Sequence, residues 1–586
     1  MELGTESRRS IHRDHPQMLW RRQAAQVLSA AVMKTTPALD APAADHNAGG
    51  WIARWADERP GSLAWVDADR RCDYATAEDR IRRLAAWLEA EGVGPGDRVA
   101  LWLGNRGVLL EAVFAAARLG AIVLPINARL TAAEVAFQLD DATPSILMVE
   151  RRWRDAANRA RRLASGRDPM VLEVGFAEGT PDAGSKTEPD PYEVALASSP
   201  GTSRIHPVRP DDPMILMYTS GTTGKPKGAL LPHRKALYNS LNAEEYFGIK
   251  ASDRVLVVAP LFHSLGLQIL ALPAIFKGAG LIIQEGFSAQ RVWKAIESEA
   301  VTYYGGVPTM HQRLLEALDQ GDPITALPSS LRFAFTAGAS AASELIRAFR
   351  DHGLELRQGY GQTETSILTC VRSHDGPSAD GDGDGDTDMA NKYASVGRPV
   401  RHAKLRLIAA ETIEEAVAQW RDVSVGVVGE IVVHGPITML GYWRRPEATA
   451  ETLRDGWVRT GDLATRDEDF EITLVGRSHE MYISGGENVY PAEVEAALVG
   501  HPDVEEAAVV PIADSKWGEI GRAHLVLRPD ATTEPSHLLE WLETKLARFK
   551  QPREIIVEAE LPRTASGKVQ KHLLARDLDP EKDAPA

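Results

Sequence analysis

Apolar residues return at helical spacing through ATAEDRIRRLAAWLEAEGV, where Ile81, Leu84, Ala85 and Leu88 line one face and Gly92 follows as a stop. DRVALWL then has the short apolar run of a strand, and VLLEAVFAAARLGAIVLPIN predicts a helix closed by Gly120 with a buried strand behind it. Strand and helix signals keep alternating through RVLVVAP, FSAQRVWKAIESEA, VTYYGGVP and LRFAFTAG. Such alternation predicts an α/β fold of layered, largely parallel sheets. The pattern changes after residue 478. PAEVEAALVG opens on Pro491 and stops at Gly500, while VEEAAVVPI, AHLVLRP and EIIVEAELP have the look of strands. SHLLEWLETKLARF places Leu538, Leu539, Leu542, Leu546 and Phe549 broadly on one helix face. These spans predict a large domain over residues 46–478 and a small, mobile α+β domain over residues 479–586.

Two segments stand apart. Residues 1–45 predict a poorly ordered leader; its arginine-rich stretch also fits a targeting peptide, or an over-extended start with the true initiator at Met18 or Met33. Residues 373–390 form an acidic Gly/Asp-rich insertion, SHDGPSADGDGDGDTDM at its heart. A calcium loop begun at Asp380 needs a bidentate glutamate at its twelfth position, where Asn391 stands, so a solvated insertion is expected there. The most apolar region, Leu261 to Ile283, is interrupted by His263, Gln268, Pro273 and Lys277, and predicts buried core rather than a transmembrane span.

Composition narrows the function. A chain of 586 residues is too long for one ordinary core. A formal net charge of -16 argues against nucleic-acid binding, which needs clustered positive charge. Two cysteines, Cys72 and Cys370, exclude a disulfide framework and carry no metal-ligand spacing; a reducing, cytoplasmic compartment fits.

The chemistry begins with YTSGTTGKPKGALLPH, Tyr218 to His233. Gly221 and Gly224 let the backbone approach an anion closely, Thr219, Ser220, Thr222 and Thr223 add hydroxyl donors, and Lys225 and Lys227 add charge. The two glycines are three apart and Pro226 follows Lys225, so this is not the nucleotide P-loop. Further motifs follow in order: GYGQTET from Gly359, GEIVVHGPITMLGYW from Gly429, DGWVRTGDL from Asp455, GRSHEMYISGGENVYPAEVE from Gly476 and LPRTASGKVQK from Leu561. Together they resemble the acyl-adenylate-forming superfamily, in its acyl-CoA synthetase and fatty-acid–CoA ligase branch. The resemblance runs from about residue 50 to the C-terminus and leaves out only the leader and the insertion.

That resemblance implies a reaction in two halves: a carboxylate attacks ATP to give acyl-AMP and pyrophosphate, and coenzyme A then displaces AMP. It implies ATP, Mg2+ and coenzyme A as co-substrates, with Thr219 to Lys227 gripping the leaving phosphates. Tyr360, among Gly359, Gly361 and Gln362, is implied to stack on adenine, Thr363 to touch the α-phosphate and Glu364 to hold magnesium. Asp462 is implied to bind ribose with help from Arg477, and Lys568 to be the adenylation lysine. The catalytic set is therefore Lys568, Glu364 and Thr219. Gly338 and Ala339 are implied as the floor beside adenine and acyl chain, and His263 and Gly306 as acyl-pocket residues. Gly485 and Gly486 are implied to line the pantetheine path, with Trp517, Phe549, Lys550 and Arg553 toward the rest of coenzyme A. His479 occupies the hinge, where the family usually carries Asp or Lys; a histidine there also titrates near neutrality. APLFHSLGLQ lacks the aspartate that would pair with an amino acid's amine, so a neutral acid, aliphatic or aryl, is expected. The alternatives are an acyl-AMP ligase loading a carrier-protein thiol, a luciferase-like oxygenase, and a non-catalytic nucleotide- and acyl-binding module.

Overall fold

The computed structural model describes residues 46–68, 70–175, 189–201, 204–219, 226–321, 324, 326–339, 341–371, 393–484, 487–514, 516–543, 545–563 and 569–575. The leader and the acidic insertion therefore lie outside the described residues. Two large sheets dominate. In the first, Glu355–Gln362, Phe333–Thr336, Tyr303–Gly306, Arg254–Val257, Gly280–Ile283 and Leu63–Asp67 lie side by side and parallel, and antiparallel strands close both edges. The second runs Gly441–Tyr442, Lys227–Pro232, Pro213–Thr219, Ile122–Pro125, Arg98–Trp102, Ile146–Glu150 and Met170–Val174. Its parallel part ends at Pro213–Thr219, beyond which the chain turns back on itself. Layered α/β architecture is thus present as the alternating pattern predicts.

Helices Tyr74–Ala90 and Gly107–Arg118 fill the layer between these sheets. Every residue of Gly107–Arg118 is buried, and its apolar side chains share one continuous core with Val99 and Leu101 of one sheet and Leu281 and Ile283 of the other. A helix hydrophobic on all sides belongs in such a layer. Its two charged residues are paired: Glu111 with Arg80 at 2.8 Å and Arg118 with Glu78 at 2.7 Å. Leu261 to Ile283 is buried core, and no described helix is long and apolar enough to cross a membrane.

A third, antiparallel sheet holds Lys404–Ile408, Gly429–His434, Trp457–Arg466 and Ile472–Arg477. The next strand, Tyr482–Ser484, belongs to a separate sheet with Glu487–Val489, Gly518–Leu527, Val504–Asp514 and Glu554–Val557. Helix Pro491–Val499 packs on that last sheet through Val494 and Leu498. The following helix is shorter than its apolar pattern implies. It spans Pro535–Glu543, buries Leu538 and Leu542, and stops before Leu546; Phe549 lies beyond it, 37% exposed. Leu546 still packs on the small core from the turn, where its amide bonds to the carbonyl of Leu542. Apolar spacing does not distinguish a continued helix from such a turn.

Two histidines are sealed in the large domain. His233 has no hydrogen bond at either ring nitrogen among the described residues, and His311 meets the Phe335 carbonyl at 3.0 Å. Burial pushes each ring down to about 4 from its ordinary 6.5. Above pH 6.5 both rings are neutral folded or unfolded. Between 6.5 and 4 only the unfolded chain takes the protons, so stability falls with pH by about 1.4 kcal/mol per unit for each ring. The denaturant midpoint of the large domain should therefore drop steadily from pH 6.5 to 4.5, and His311→Gln should make that slope shallower. An unchanged slope in the variant removes His311 from the account.

Candidate active site

The site is built on a hairpin. Strand Glu355–Gln362 turns back through Thr363, Glu364 and Thr365 into Ser366–Cys370. Gly361 is required for this close return, because a Cβ there would stand 1.8 Å from the Ser366 carbonyl oxygen. The outgoing strand delivers two donors to one buried carboxylate. Tyr360 Oη and Gln362 Nε2 each donate to Asp462 Oδ2 at 2.6 Å, and Arg477 Nε stands 3.0 Å from Asp462 Oδ1. Asp462 is only 6% exposed, and a charge so buried is stable only when paired and hydrogen-bonded. Burial and the Asp462 charge push the Tyr360 phenol well above its ordinary range, so it stays a donor. A carboxylate has about four lone-pair positions, which leaves Oδ1 able to accept a further hydroxyl.

Glu364, at the turn, is also buried. Its Oε1 accepts from Tyr442 Oη at 2.8 Å and its backbone carbonyl from Met439 N at 2.7 Å. Its second oxygen takes no hydrogen bond from a described residue. No three His, Cys, Asp or Glu groups cluster as metal ligands among the described residues. One open carboxylate oxygen fits a hard cation that takes its remaining ligands from phosphate and water, which is magnesium's habit. Thr363 sits half-buried beside it. Below the turn, Lys235 is fully buried on helix His233–Phe247 and donates to Ser366 Oγ. Burial pushes its ammonium well below the usual lysine range, with the Glu364 charge acting against that shift.

The phosphate-loop motif begins and ends on paired strands. Thr219 is the register partner of Lys227, and its hydroxyl reaches the Lys227 carbonyl at 3.4 Å. Lys227 Nζ lies 5.5 Å from the centre of the Tyr442 ring. Tyr218 donates to Asp141 Oδ2 at 2.6 Å, and Arg445 meets the other oxygen at 2.8 Å. Trp443 and Arg444 donate to the Asp141 carbonyl at 3.0 and 2.9 Å. Ser220, Gly221, Thr222, Thr223, Gly224 and Lys225 lie outside the described residues.

The acyl-side residues gather at one end of the parallel sheet. Gly306 pairs with Thr336 and Thr336 with Gln358, two residues before Tyr360. Past Thr336 the chain leaves the sheet through Gly338, at φ 90°, and Ala339, both exposed. Carboxyl ends of parallel strands are where open α/β sheets bind ligands. His263 is half-buried, just before the π-helical segment Leu265–Ala271, whose Leu265 amide points at His263 Nδ1 at 3.5 Å. A Cβ on Gly305 would meet Leu270 at 2.9 Å, so this segment packs directly on the strand bearing Gly306. Single π-helical turns often mark functional sites.

Arg477 ends strand Ile472–Arg477, two residues before His479. The Ser478 amide bonds to the Gly461 carbonyl at 2.8 Å, and the Glu480 and Met481 amides both reach the Arg477 carbonyl at 3.1 Å. Burial, joined by the Arg477 charge, pushes the His479 ring below its ordinary value, with Glu480 opposing. The shift favours the uncharged ring over the protonated one. Glu480 binds Lys571 Nζ at 2.6 Å, and Lys571 also reaches Glu495 at 2.8 Å. Gly485, Gly486 and Lys568 lie outside the described residues. The segment carrying Lys568 is closed at its base by the bridge between Arg563 and Val569 and by the Gln570 amide on the Pro562 carbonyl at 2.7 Å. On the small domain's surface, Trp517 is 40% exposed between Lys516 and Arg553, whose charges stand 4.9 and 6.0 Å from its ring. Lys550 is committed to Glu493 at 2.6 Å beside Phe549.

Three residues join the site without a sequence signal of their own. Tyr442 lies within GEIVVHGPITMLGYW with no feature marking it out, Asp141 ends an ordinary amphipathic helix, and only the placing of Lys235 among buried neighbours sets it apart.

Comparison with known proteins shows the family of the chain. The AMP-binding enzyme family matches residues 52–443, and the AMP-binding enzyme C-terminal domain matches residues 493–568. The chain is 38% identical to a feruloyl-CoA synthase of an Amycolatopsis species, covering 89% of this chain and 97% of that one. It is 37% identical to an indoleacetate–CoA ligase of Aromatoleum aromaticum, covering 89% and 96%. Among solved structures, O-succinylbenzoate coenzyme A synthetase of Bacillus subtilis with ATP and magnesium ion superposes with a TM-score of 0.74 at 27% identity, covering 90% of this chain and 99% of that one. With most of its length matched in this way, the chain belongs to the AMP-binding enzymes.

Proposed function

We propose that this protein is an ATP-dependent, AMP-forming acid–CoA ligase whose acid is neutral and carries an aromatic ring. One observation carries the reading most: Tyr360, Gln362 and Arg477 converge on a buried Asp462 that keeps an acceptor free on Oδ1. That is a seat for a ribose hydroxyl, with Tyr360 and the edge formed by Gly338 and Ala339 beside the base. Glu364 at the turn of that hairpin, and Thr219 and Lys227 on paired strands of the other large sheet, are then the groups for the triphosphate. Magnesium bound at Glu364 would screen phosphate charge as the carboxylate approaches. Lys568 supplies the matching positive charge for acyl-AMP formation, brought in by the small domain over residues 479–586. A turn at His479 then withdraws it and presents Gly485 and Gly486 to the coenzyme A thiol, with Trp517 and Arg553 toward the nucleotide end.

The aromatic substrate is supported by the two relatives with names that specify aryl-bearing acids, and by an acyl side made from strand Tyr303–Gly306 and the largely apolar π-helical segment that follows His263. ATP and coenzyme A as co-substrates support a cytoplasmic location.

Lys568→Ala should lower acid-dependent pyrophosphate release on the order of 10²–10³-fold yet spare thioester formation from supplied acyl-AMP; near-normal pyrophosphate release would remove Lys568 from the role. In a panel of acids assayed with and without coenzyme A, and with a holo carrier protein as alternative acceptor, aryl-propenoic and aryl-acetic acids should exceed long-chain fatty acids in kcat/KM. A preference for fatty acids would overturn the substrate assignment. His479→Pro should depress thioester formation more than adenylation, and equal loss in both half-reactions would count against a turn at this residue.

A further inference from the structure

Tyr442 touches both halves of the triphosphate machinery at once. Its ring takes the Lys227 ammonium at 5.5 Å, while its hydroxyl donates to Glu364 Oε1 at 2.8 Å. The placement follows from the backbone. Tyr442 pairs with Ala229 across antiparallel strands, so Lys227, two residues along, projects from the same face. Tyr442 is itself pinned: its amide bonds to Thr449 Oγ1 at 2.9 Å, and the next residue, Trp443, bonds through its amide to the Gly228 carbonyl at 2.7 Å. Lys227 and Glu364 carry opposite charges around one aromatic side chain, and they make no ion pair with each other.

We propose that Tyr442 is a positioning residue that acts as a spacer, holding Lys227 and Glu364 apart so that the cation stays available to phosphate and the carboxylate to the metal of the incoming nucleotide. Without the ring, the lysine closes on the carboxylate. The ion pair so formed neutralises both groups in a partly desolvated site, where such a pair is stronger than at the surface. With the ring, the lysine gains a cation–π contact and Glu364 gains a charge-assisted hydrogen bond, so each is satisfied without the other. The inference rests on the assignment of Glu364 to the metal in the proposed function.

The test measures ATP affinity by calorimetry, in magnesium and in EDTA, with no acid or coenzyme A present; the ratio of the two dissociation constants gives the metal-dependent gain. Tyr442→Leu should cut that gain about tenfold, the scale of one lost cation–π or ion contact. Adding Lys227→Ala to Tyr442→Leu should restore it, because no lysine remains to close on Glu364, whereas a merely structural defect would not be repaired by a second deletion. Tyr442→Phe keeps the ring and its packing, so it should lose threefold or less, on the scale of one hydrogen bond, with no recovery on adding Lys227→Ala. Failure of Lys227→Ala to restore the gain in the leucine background overturns the spacer role, as does a phenylalanine loss equal to the leucine loss. Glu364→Gln separates the two readings: an unchanged gain in that variant removes the metal from Glu364, whatever Tyr442 does. If the leucine variant does not fold, the phenylalanine measurement alone still decides, since a tenfold loss there contradicts a role carried by the ring.

Discussion

The buried charge of Asp462 organises this molecule. A carboxylate so poorly exposed is stable only with its donors in place, and those donors come from different parts of the fold. Tyr360 and Gln362 belong to the largest sheet, Asp462 to the antiparallel sheet that follows, and Arg477 to the last strand of that second sheet. Satisfying one side chain therefore ties two sheets to each other. Gly361 makes the arrangement possible, because the hairpin that carries Tyr360 and Gln362 returns too tightly for any side chain at that point.

A second, parallel logic runs through the phosphate side. Asp141 takes Tyr218 on one oxygen and Arg445 on the other, with Trp443 and Arg444 on its carbonyl. The residue preceding Thr219 and the segment carrying Tyr442 are thereby tied to the same helix end. Both stems of the loop motif are thus held by paired strands and by the contacts gathered on Asp141.

Much of this was legible in the sequence, and the reasons differ by feature. Alternating apolar periods determined the layered sheets, since buried parallel strands and the helices covering them leave strong signals. The motifs carried Tyr360, Gln362, Glu364, Asp462 and Arg477, because nucleotide chemistry needs specific polar types in fixed local frames. Helix length was less legible: Leu546 and Phe549 kept the helical spacing past Glu543, where the chain had already turned. The direction of the His479 shift was not legible either, since burial is its largest cause and burial is not encoded locally. Tyr442, Lys235 and Asp141 act across long sequence separations. Their significance lies in register and packing between strands, which no single stretch of residues displays.

Lys571 adds a mechanical consequence. It stands three residues past Lys568 and is clasped by Glu480, next to His479, and by Glu495 on helix Pro491–Val499. Burial would strip its charge, but the two carboxylates more than offset that and hold the ammonium above its usual range. The two ion pairs tie the start of the small domain to its last described helix, so those ends are held to each other by side chains as well as by the sheet between them.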